Sequence, residues 1–351
     1  MAAKVVNPRW APIKIHMPPA VERLRQPYLP MEARSVTEIP VGEHWQYEPK
    51  WDGFRCVIFR NQREIELQSK AGRSLTRYFP ELVAEVSGIK AKHFVLDGEI
   101  LVPYGKGYSF DALLQRIHPA ASRVRKLAEE TPAILVIFDI LATADEILTH
   151  EALKTRRPVL EKFGKTYLRG HKRIVLSSTT RNVDEARKWL KRGAKGLDGI
   201  IAKRDDLPYQ SGNRSGMLKI KRIRSADCVV GGFRYAEKSN SLGSLLLGLY
   251  DSKGLLNHVG FTSSLSAKDK KNLTTKLERL IAPPGFTGAK PGGPSRWSTK
   301  RSAQWEPLKP KLVVEICYDH FTGGRFRHGT QFLRWRPDKA ARQCTIEQIS
   351  N

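Results

Sequence analysis

Tyr47-Glu48-Pro49-Lys50-Trp51-Asp52-Gly53-Phe54-Arg55 is the stretch on which the reading of this chain turns. It holds one lysine between Pro49 and a Trp51-Asp52-Gly53 turn, with a carboxylate two residues before it and an arginine five after it. Downstream, Phe54 to Arg60 and Glu64 to Gln68 read as two strands joined by a short polar turn. Side chains alternate faces along a strand, so Glu48 and Lys50 are expected on the same side. Alone, a Lys-x-Asp-Gly tetrapeptide equally describes an ordinary turn with a solvated lysine; agreement elsewhere must separate the two.

That agreement lies in six further blocks. They are Ser69-Lys70-Ala71-Gly72, Leu96-Asp97-Gly98-Glu99-Ile100, Val136-Ile137-Phe138-Asp139-Ile140, Leu197-Asp198-Gly199-Ile200-Ile201-Ala202-Lys203, Met217-Leu218-Lys219-Ile220-Lys221 and Phe332-Leu333-Arg334-Trp335-Arg336-Pro337-Asp338-Lys339. In this order, with the Lys50 stretch, they resemble the nucleotidyltransferase superfamily of ATP-dependent DNA ligases, RNA ligases and mRNA capping enzymes. The last block is similar to the closing motif of the ligase branch. The resemblance runs from about Pro30 to Thr345, and the size matches the small, two-domain bacterial ATP-dependent DNA ligases. It implies an α+β fold. A nucleotidyltransferase (adenylation) domain of antiparallel sheets flanked by helices is expected over 30–223, then an OB-fold β-barrel over 224–351.

Composition points the same way. Sixty-one Lys and Arg stand against 35 Asp and Glu, a formal net charge of +26, and a chain this basic is expected to meet a polyanion. Cys56, Cys228, Cys317 and Cys344 are far apart and form no Cys-x-x-Cys pair, which argues against a zinc module and against a disulfide framework. The first three sit in strand-like apolar runs, as buried free thiols would. A reducing, cytoplasmic setting is expected, associated with the bacterial nucleoid. No apolar run approaches a membrane span, and prolines and charges break Val5 to Pro19.

In chain order, residues 1–29 are punctuated by proline and expected as an extended arm. Helices are predicted over Tyr78 to Val86 with Pro80 in the first turn, Phe110 to Ile117 behind Ser109, Glu151 to Phe163, and Val183 to Lys191 capped by Asn182. Strands are predicted over His93 to Val102, Ala133 to Leu141, Gly199 to Lys203 and Met217 to Lys221. Arg222-Ile223-Arg224-Ser225 reads as a hinge. Beyond it, strands over Asp227 to Tyr235, Ser244 to Tyr250, Leu255 to Phe261, Leu312 to Tyr318 and near Phe332, with one helix over Ala267 to Ile281, describe a small closed barrel of oligonucleotide-binding type.

As a nucleophile, Lys50 must be neutral. A free lysine has a pKa of about 10.4, so desolvation and cationic neighbours such as Lys219 and Lys221 would have to lower it. The resemblance makes Lys50 the residue that attacks the α-phosphate of ATP. A carboxylate only accepts hydrogen bonds, and adenine offers an amino donor where guanine offers a carbonyl, so Glu48 in the base pocket would select ATP over GTP. Its plain alternative is a surface strand glutamate. Phe138 reads as core from its apolar run; the resemblance places it against the adenine. It also assigns Arg55 and Lys70 to the ribose or phosphates, and Lys219, Lys221 and Arg214 to the α-phosphate. Arg336, Asp338 and Lys339 would orient the pyrophosphate. Glu99 and Asp198 are the candidate ligands of Mg²⁺, with Mn²⁺ as an alternative. The competing reading for Asp198 is an ion pair with Lys203 or Lys195. Family members commonly have Arg-Asn where this chain has Lys70-Ala71, Glu where it has Asp198, and Trp where it has Met217.

The implied activity is sealing of nicked duplex DNA in repair, through a lysyl-AMP and a DNA-adenylate. Lys70, Arg73, Arg77, Arg204 and Arg234 are candidate DNA contacts. The protein is expected to act as a monomer without zinc, with recruitment by other repair proteins as an added possibility. An RNA ligase, a capping-type nucleotidyltransferase and a non-catalytic nucleic-acid clamp are the alternatives.

Overall fold

The computed structural model describes residues 20–349 apart from 25, 106, 193–196, 223, 238, 293–303 and 328. Most of the expected N-terminal arm, Lys195, and Ile223 of the expected hinge therefore lie outside the described residues. Contacts divide the chain into two units, Met1–Lys221 and Arg222–Asn351.

The first unit contains two principal sheets. One runs in the order Arg34–Val36, Met217–Lys221, Leu197–Arg204, Trp45–Trp51. The other runs Glu64–Ser69, Phe54–Asn61, His93–Leu101, Ile134–Ala142, Ile174–Leu176. The Lys50 strand belongs to the first sheet and continues through Asp52-Gly53 into the second. That turn demands a glycine: a Cβ at Gly53 would stand 2.1 Å from the carbonyl oxygen of Ile100. The quoted stretch thus carries the chain from one sheet to the other.

The pairing is mainly antiparallel, as expected, with two parallel neighbours. Arg34–Val36 runs parallel to residues 218–220, and Ile174–Leu176 parallel to residues 135–137. The second parallel pair follows from the intervening helix Leu153–Tyr167, because parallel neighbours need a crossover. Helix Pro80–Gly88 starts with its proline at the first turn, as predicted, and Ser109 caps Phe110–Gln115 by accepting from the Ala112 N–H. The Asn182 side chain accepts from the N–H groups of Asp184 and Glu185 and so caps Val183–Arg192. A further helix, Ala121–Glu130, was not predicted, although its buried Val124, Leu127 and Ala128 have helical spacing.

The second unit is a barrel. Its strands, Arg224–Tyr235, Leu242–Tyr250, Leu256–Thr262, Val313–Tyr318 and Gln331–Trp335, lie in the order third, second, first, fourth, fifth. The third and fifth strands close it through a parallel bridge between Thr262 and Thr330, reinforced by Thr262 Oγ1 donating to Thr330 O at 2.9 Å. The helix Ala267–Glu278, capped by Ser266, fills the connection between the third and fourth strands. Cys56, Cys228 and Cys344 are buried free thiols; Cys317 is half-buried rather than buried, because it lies near the barrel's rim on a strand of alternating burial.

Candidate active site

Strand register assembles the site. Lys50 pairs with Gly199 and Gly199 with Lys221; Glu48 pairs with Ile201 and Ile201 with Lys219; Gln46 pairs with Lys203. Within each strand these residues are two apart, so all face the same way. Tyr47, between Gln46 and Glu48, points oppositely, into a cluster with Ala186, Ile200 and Ile220. The functional face floors an open cleft of about 600 Å³ lined by Glu48, Lys50, Trp51, Arg55, Glu99, Phe138, Lys203 and Lys219, among others.

Asp198 reaches this face through an irregularity. Regular alternation from Gly199 would point Asp198 away, but the ladder shifts register between Leu197 and Gly199. Gly199 itself has φ of +146°, and a Cβ there would stand 2.0 Å from the Ile220 carbonyl oxygen. The outcome is a hydrogen-bonded ion pair in which Lys50 Nζ donates to Asp198 Oδ2. Of the alternative partners foreseen for Asp198, Lys203 is bound to Glu48, and Lys195 lies outside the described residues.

Glu99 arrives from the other sheet, where it pairs in register with Arg55. Its Oε1 accepts from the Gly53 N–H at 3.1 Å. Burial pushes the Glu99 carboxyl up to about 7, against the opposing pull of Arg55 and Lys50. Glu99 in the cleft and Asp198 on Lys50 supply two carboxylates, a donor set suited to a hard divalent cation. Across the cleft, Lys219 is held below the usual lysine range by burial and then by Lys221, Lys50, Lys70 and Arg214. Lys221 projects from the same face but does not line the cleft.

At the other end, Glu48 is 2% exposed and held at both oxygens: Gln46 Nε2 donates to Oε1 at 3.0 Å and Lys203 Nζ to Oε2 at 2.8 Å. The surface-glutamate alternative is therefore excluded. Phe138 is buried on the cleft wall, with Arg55 and Lys203 each 4.5 Å from its ring centroid. Arg55 also forks onto buried Asp97, through Nε and Nη2 at 2.6 Å each, and Asp97 accepts from Tyr209 Oη at 2.6 Å. The Arg55 guanidinium is thus primarily an anchored wall of the cleft.

Lys70 and Arg214 are exposed and meet on one carboxylate: Glu32 Oε2 lies 3.1 Å from Lys70 Nζ and 2.7 Å from Arg214 Nη2. Of the other basic candidates, Arg73 is exposed, Arg77 donates to Pro119 O at 2.7 Å, and Arg204 forks onto Asp206 at 2.6–2.7 Å. In the second unit, Arg234 is half-buried on the first barrel strand, in register with Ser244. Arg336 forks onto Asp338 and also donates to Asp227, to which Lys339 donates as well. Arg336, Asp338 and Lys339 are thereby brought together around a residue that sequence reasoning did not single out.

The ATP dependent DNA ligase domain family matches residues 29–221, and the ATP dependent DNA ligase C terminal region matches residues 238–339. DNA ligase C2 of Mycolicibacterium smegmatis is 43% identical over 93% of this chain and 95% of that protein. The chain belongs to the ATP-dependent DNA ligases. Its fold agrees with a solved Lig E DNA ligase at a TM-score of 0.53, 15% identity, and coverage of 87% of this chain and all of that one. A more distant relative of the ligase is the multifunctional non-homologous end joining DNA repair protein LigD of Mycobacterium tuberculosis, 28% identical over 87% of this chain and 38% of that protein. The nucleotidyltransferase unit followed by an OB-fold barrel is thus established, as is ATP-dependent DNA ligation. The family uses ATP and a divalent metal. Among the described residues of the ligase, no helix is long and apolar enough to cross a membrane.

Sequence reasoning passed over Gln46, Glu32, Asp97 and Asp227, and used Lys203 only as a possible partner of Asp198. Lys203 could have been found: it stands at even spacing from Gly199 and Ile201 on a strand, hence on the same face. The other four are placed by contacts with residues distant in sequence or, for Gln46, by the side-chain bond to Glu48.

Proposed function

We propose that Lys50 is the nucleophile of a nick-sealing cycle. The observation that carries this is the placement of its amine in the cleft against Asp198, with Glu99 and Lys219 beside it. Lys50 Nζ, once neutral, forms a bond to the α-phosphorus of ATP while the bond to the bridging oxygen breaks and pyrophosphate leaves. The proton it sheds has an acceptor already in place in Asp198. Lys219 faces the charge that develops on the phosphoryl oxygens. In the next step a 5′-phosphate oxygen attacks the same phosphorus, the N–P bond breaks and Lys50 is regenerated. A 3′-hydroxyl then attacks the 5′-phosphorus and AMP leaves.

Glu48 reads the adenine amino group. With Gln46 and Lys203 each donating to one oxygen, its remaining lone pairs are aimed by two fixed neighbours. Phe138 supplies the apolar wall for the base, and Lys70 and Arg214, yoked by Glu32, reach the ribose or phosphates with Lys221. Glu99 and Asp198 would hold Mg²⁺, or Mn²⁺, which when bound neutralises phosphate charge and orients its oxygens. Arg336 and Lys339 hold the departing pyrophosphate. Nicked duplex DNA is the substrate, engaged by a monomer through Lys70, Arg73, Arg77, Arg204 and Arg234, and the setting is DNA repair with recruitment by partner proteins.

The test is the intact mass of the purified protein after ATP and after pyrophosphate. A single adenylyl increment on Lys50, removed by pyrophosphate, is the expected result. Absence of the increment, or its location on another residue, rejects the assignment.

A further inference from the structure

The Arg336–Lys339 pair is already holding an anion: the side chain of Asp227. Asp227 stands near the start of the first barrel strand and is 12% exposed. Arg336 Nη1 donates to its two carboxylate oxygens at 2.9 and 3.1 Å, and Lys339 Nζ to Oδ2 at 2.7 Å. Oδ2 therefore receives both cations at once, as a phosphate oxygen bound by the same two groups would.

Both sides of this contact are fixed by backbone bonds. The Asp227 N–H donates to Gln348 Oε1 and its carbonyl accepts from Gln348 Nε2, each at 3.0 Å. The Arg336 N–H donates to Val313 O at 2.9 Å, and the Lys339 N–H to Arg336 O at 3.2 Å. Asp338, on the same turn, is 60% exposed and forks onto the far side of the guanidinium. Glu315 lies 3.9 Å from it. Glu315 has Arg334 as its nearer partner at 2.7 Å, and of the three carboxylates around Arg336 only Asp227 touches both Arg336 and Lys339.

We propose that Asp227 is a built-in competitor for polyphosphate at the Arg336–Lys339 pair. It occupies the two cations between turnovers and limits how tightly they hold ATP and released pyrophosphate. The inference rests on the reading of Arg336 and Lys339 as polyphosphate ligands. On this account Asp227 is a residue that sets affinity, acting through two others. Removing its charge while keeping its shape frees both cations and tightens polyphosphate binding.

The experiment uses the full-length chain and inorganic pyrophosphate as the probe, with binding read by calorimetry on protein freed of AMP. Hydrogen bonds to charged groups are worth enough that Asp227→Asn should tighten pyrophosphate binding by about tenfold. The ATP concentration for half-maximal single-turnover self-labelling should fall in parallel. The gain should vanish when Arg336 and Lys339 are also replaced by glutamine. Asp227→Glu, which keeps the charge, should behave as the parent. Unchanged or weaker pyrophosphate binding in Asp227→Asn overturns the inference, as does a glutamate variant that tightens as the asparagine variant does. Replacing Arg336 and Lys339 by glutamine in the parent tests their reading by itself: unchanged pyrophosphate binding there rejects that reading, whereas weakened binding there with no gain in Asp227→Asn rejects the inference alone.

Discussion

The cleft of the first unit and the Asp227 cluster of the second both set lysine or arginine against carboxylates, yet they are built differently. In the cleft, Lys203 and Glu48 are 5% and 2% exposed in their side chains and are joined by the register of two strands whose partners lie 155 residues apart. In the cluster, Arg336, Asp338 and Lys339 share one short turn, and Lys339 and Asp338 are 24% and 60% exposed. A pair fixed by sheet register and kept from water is framework. A pair on a turn at the surface can exchange partners at small cost, as a group that binds and releases a leaving group must.

The sharpest break of this comparison is Lys50→Ala. Covalent AMP and sealing of ordinary nicks should both be abolished, because the amine that forms the N–P bond is gone. Closure of a nick already carrying 5′-AMP should persist, since that step does not use the amine as nucleophile. Gel assays on the two substrates check this; unimpaired self-labelling would remove Lys50 from the mechanism.

Next in size is the contrast between two lysines. Lys203→Met leaves Glu48 as a buried, half-satisfied charge and should cost about 3–5 kcal/mol of stability. Lys339→Met removes a partner from a solvent-reached cluster and should cost at most about 1 kcal/mol. Denaturant unfolding of the two variants measures both. Equal losses would show that burial does not separate framework from exchangeable pairs here.

These two lysines also mark how far the sequence could be read. Glu48 and Lys50 were legible as a same-face pair because both lie on one strand with a period of two. The barrel was legible from five short strands and one helix. The Lys203–Glu48 bond was not, because no local pattern states which residue of Leu197–Arg204 will lie opposite Gln46. Asp198 was legible as a carboxylate near the site, while its turn towards Lys50 depends on a ladder irregularity. Asp227 precedes an apolar run, and its spacing looks like an ordinary strand start; its two partners come from a turn 109 and 112 residues later.

A smaller effect concerns Glu99. Its folded pKa of about 7 lies above the ordinary value of 4.5, so the folded protein keeps a proton that the unfolded chain has lost. Without divalent cation, stability should therefore fall as pH rises from about 4.5 to about 7 and level off above, by an amount on the order of 3 kcal/mol from this group. Glu99→Gln should flatten that slope. Melting curves in chelator across the range test it; an unchanged pH profile in the variant would mean that Glu99 titrates normally.

The smallest expected effect separates two arginines that the sequence treats alike. Arg73 is exposed, whereas Arg204 has both ends of its fork on Asp206 and its guanidinium 5.7 Å from the Trp45 ring. Each phosphate neutralised on duplex DNA contributes about 0.9 to the slope of log affinity against log salt. Arg73→Gln should therefore lower the magnitude of that slope by about one, while Arg204→Gln should change it by less, since its charge is already shared with a carboxylate. Neither substitution should alter self-adenylylation, because neither side chain lines the cleft. Binding of nicked duplex across a salt series, with self-labelling measured on the same preparations, decides it. If Arg204→Gln lowers the slope as much as Arg73→Gln, the Asp206 fork opens for phosphate. The distinction between engaged and exchangeable cations would then fail on the first unit's own surface.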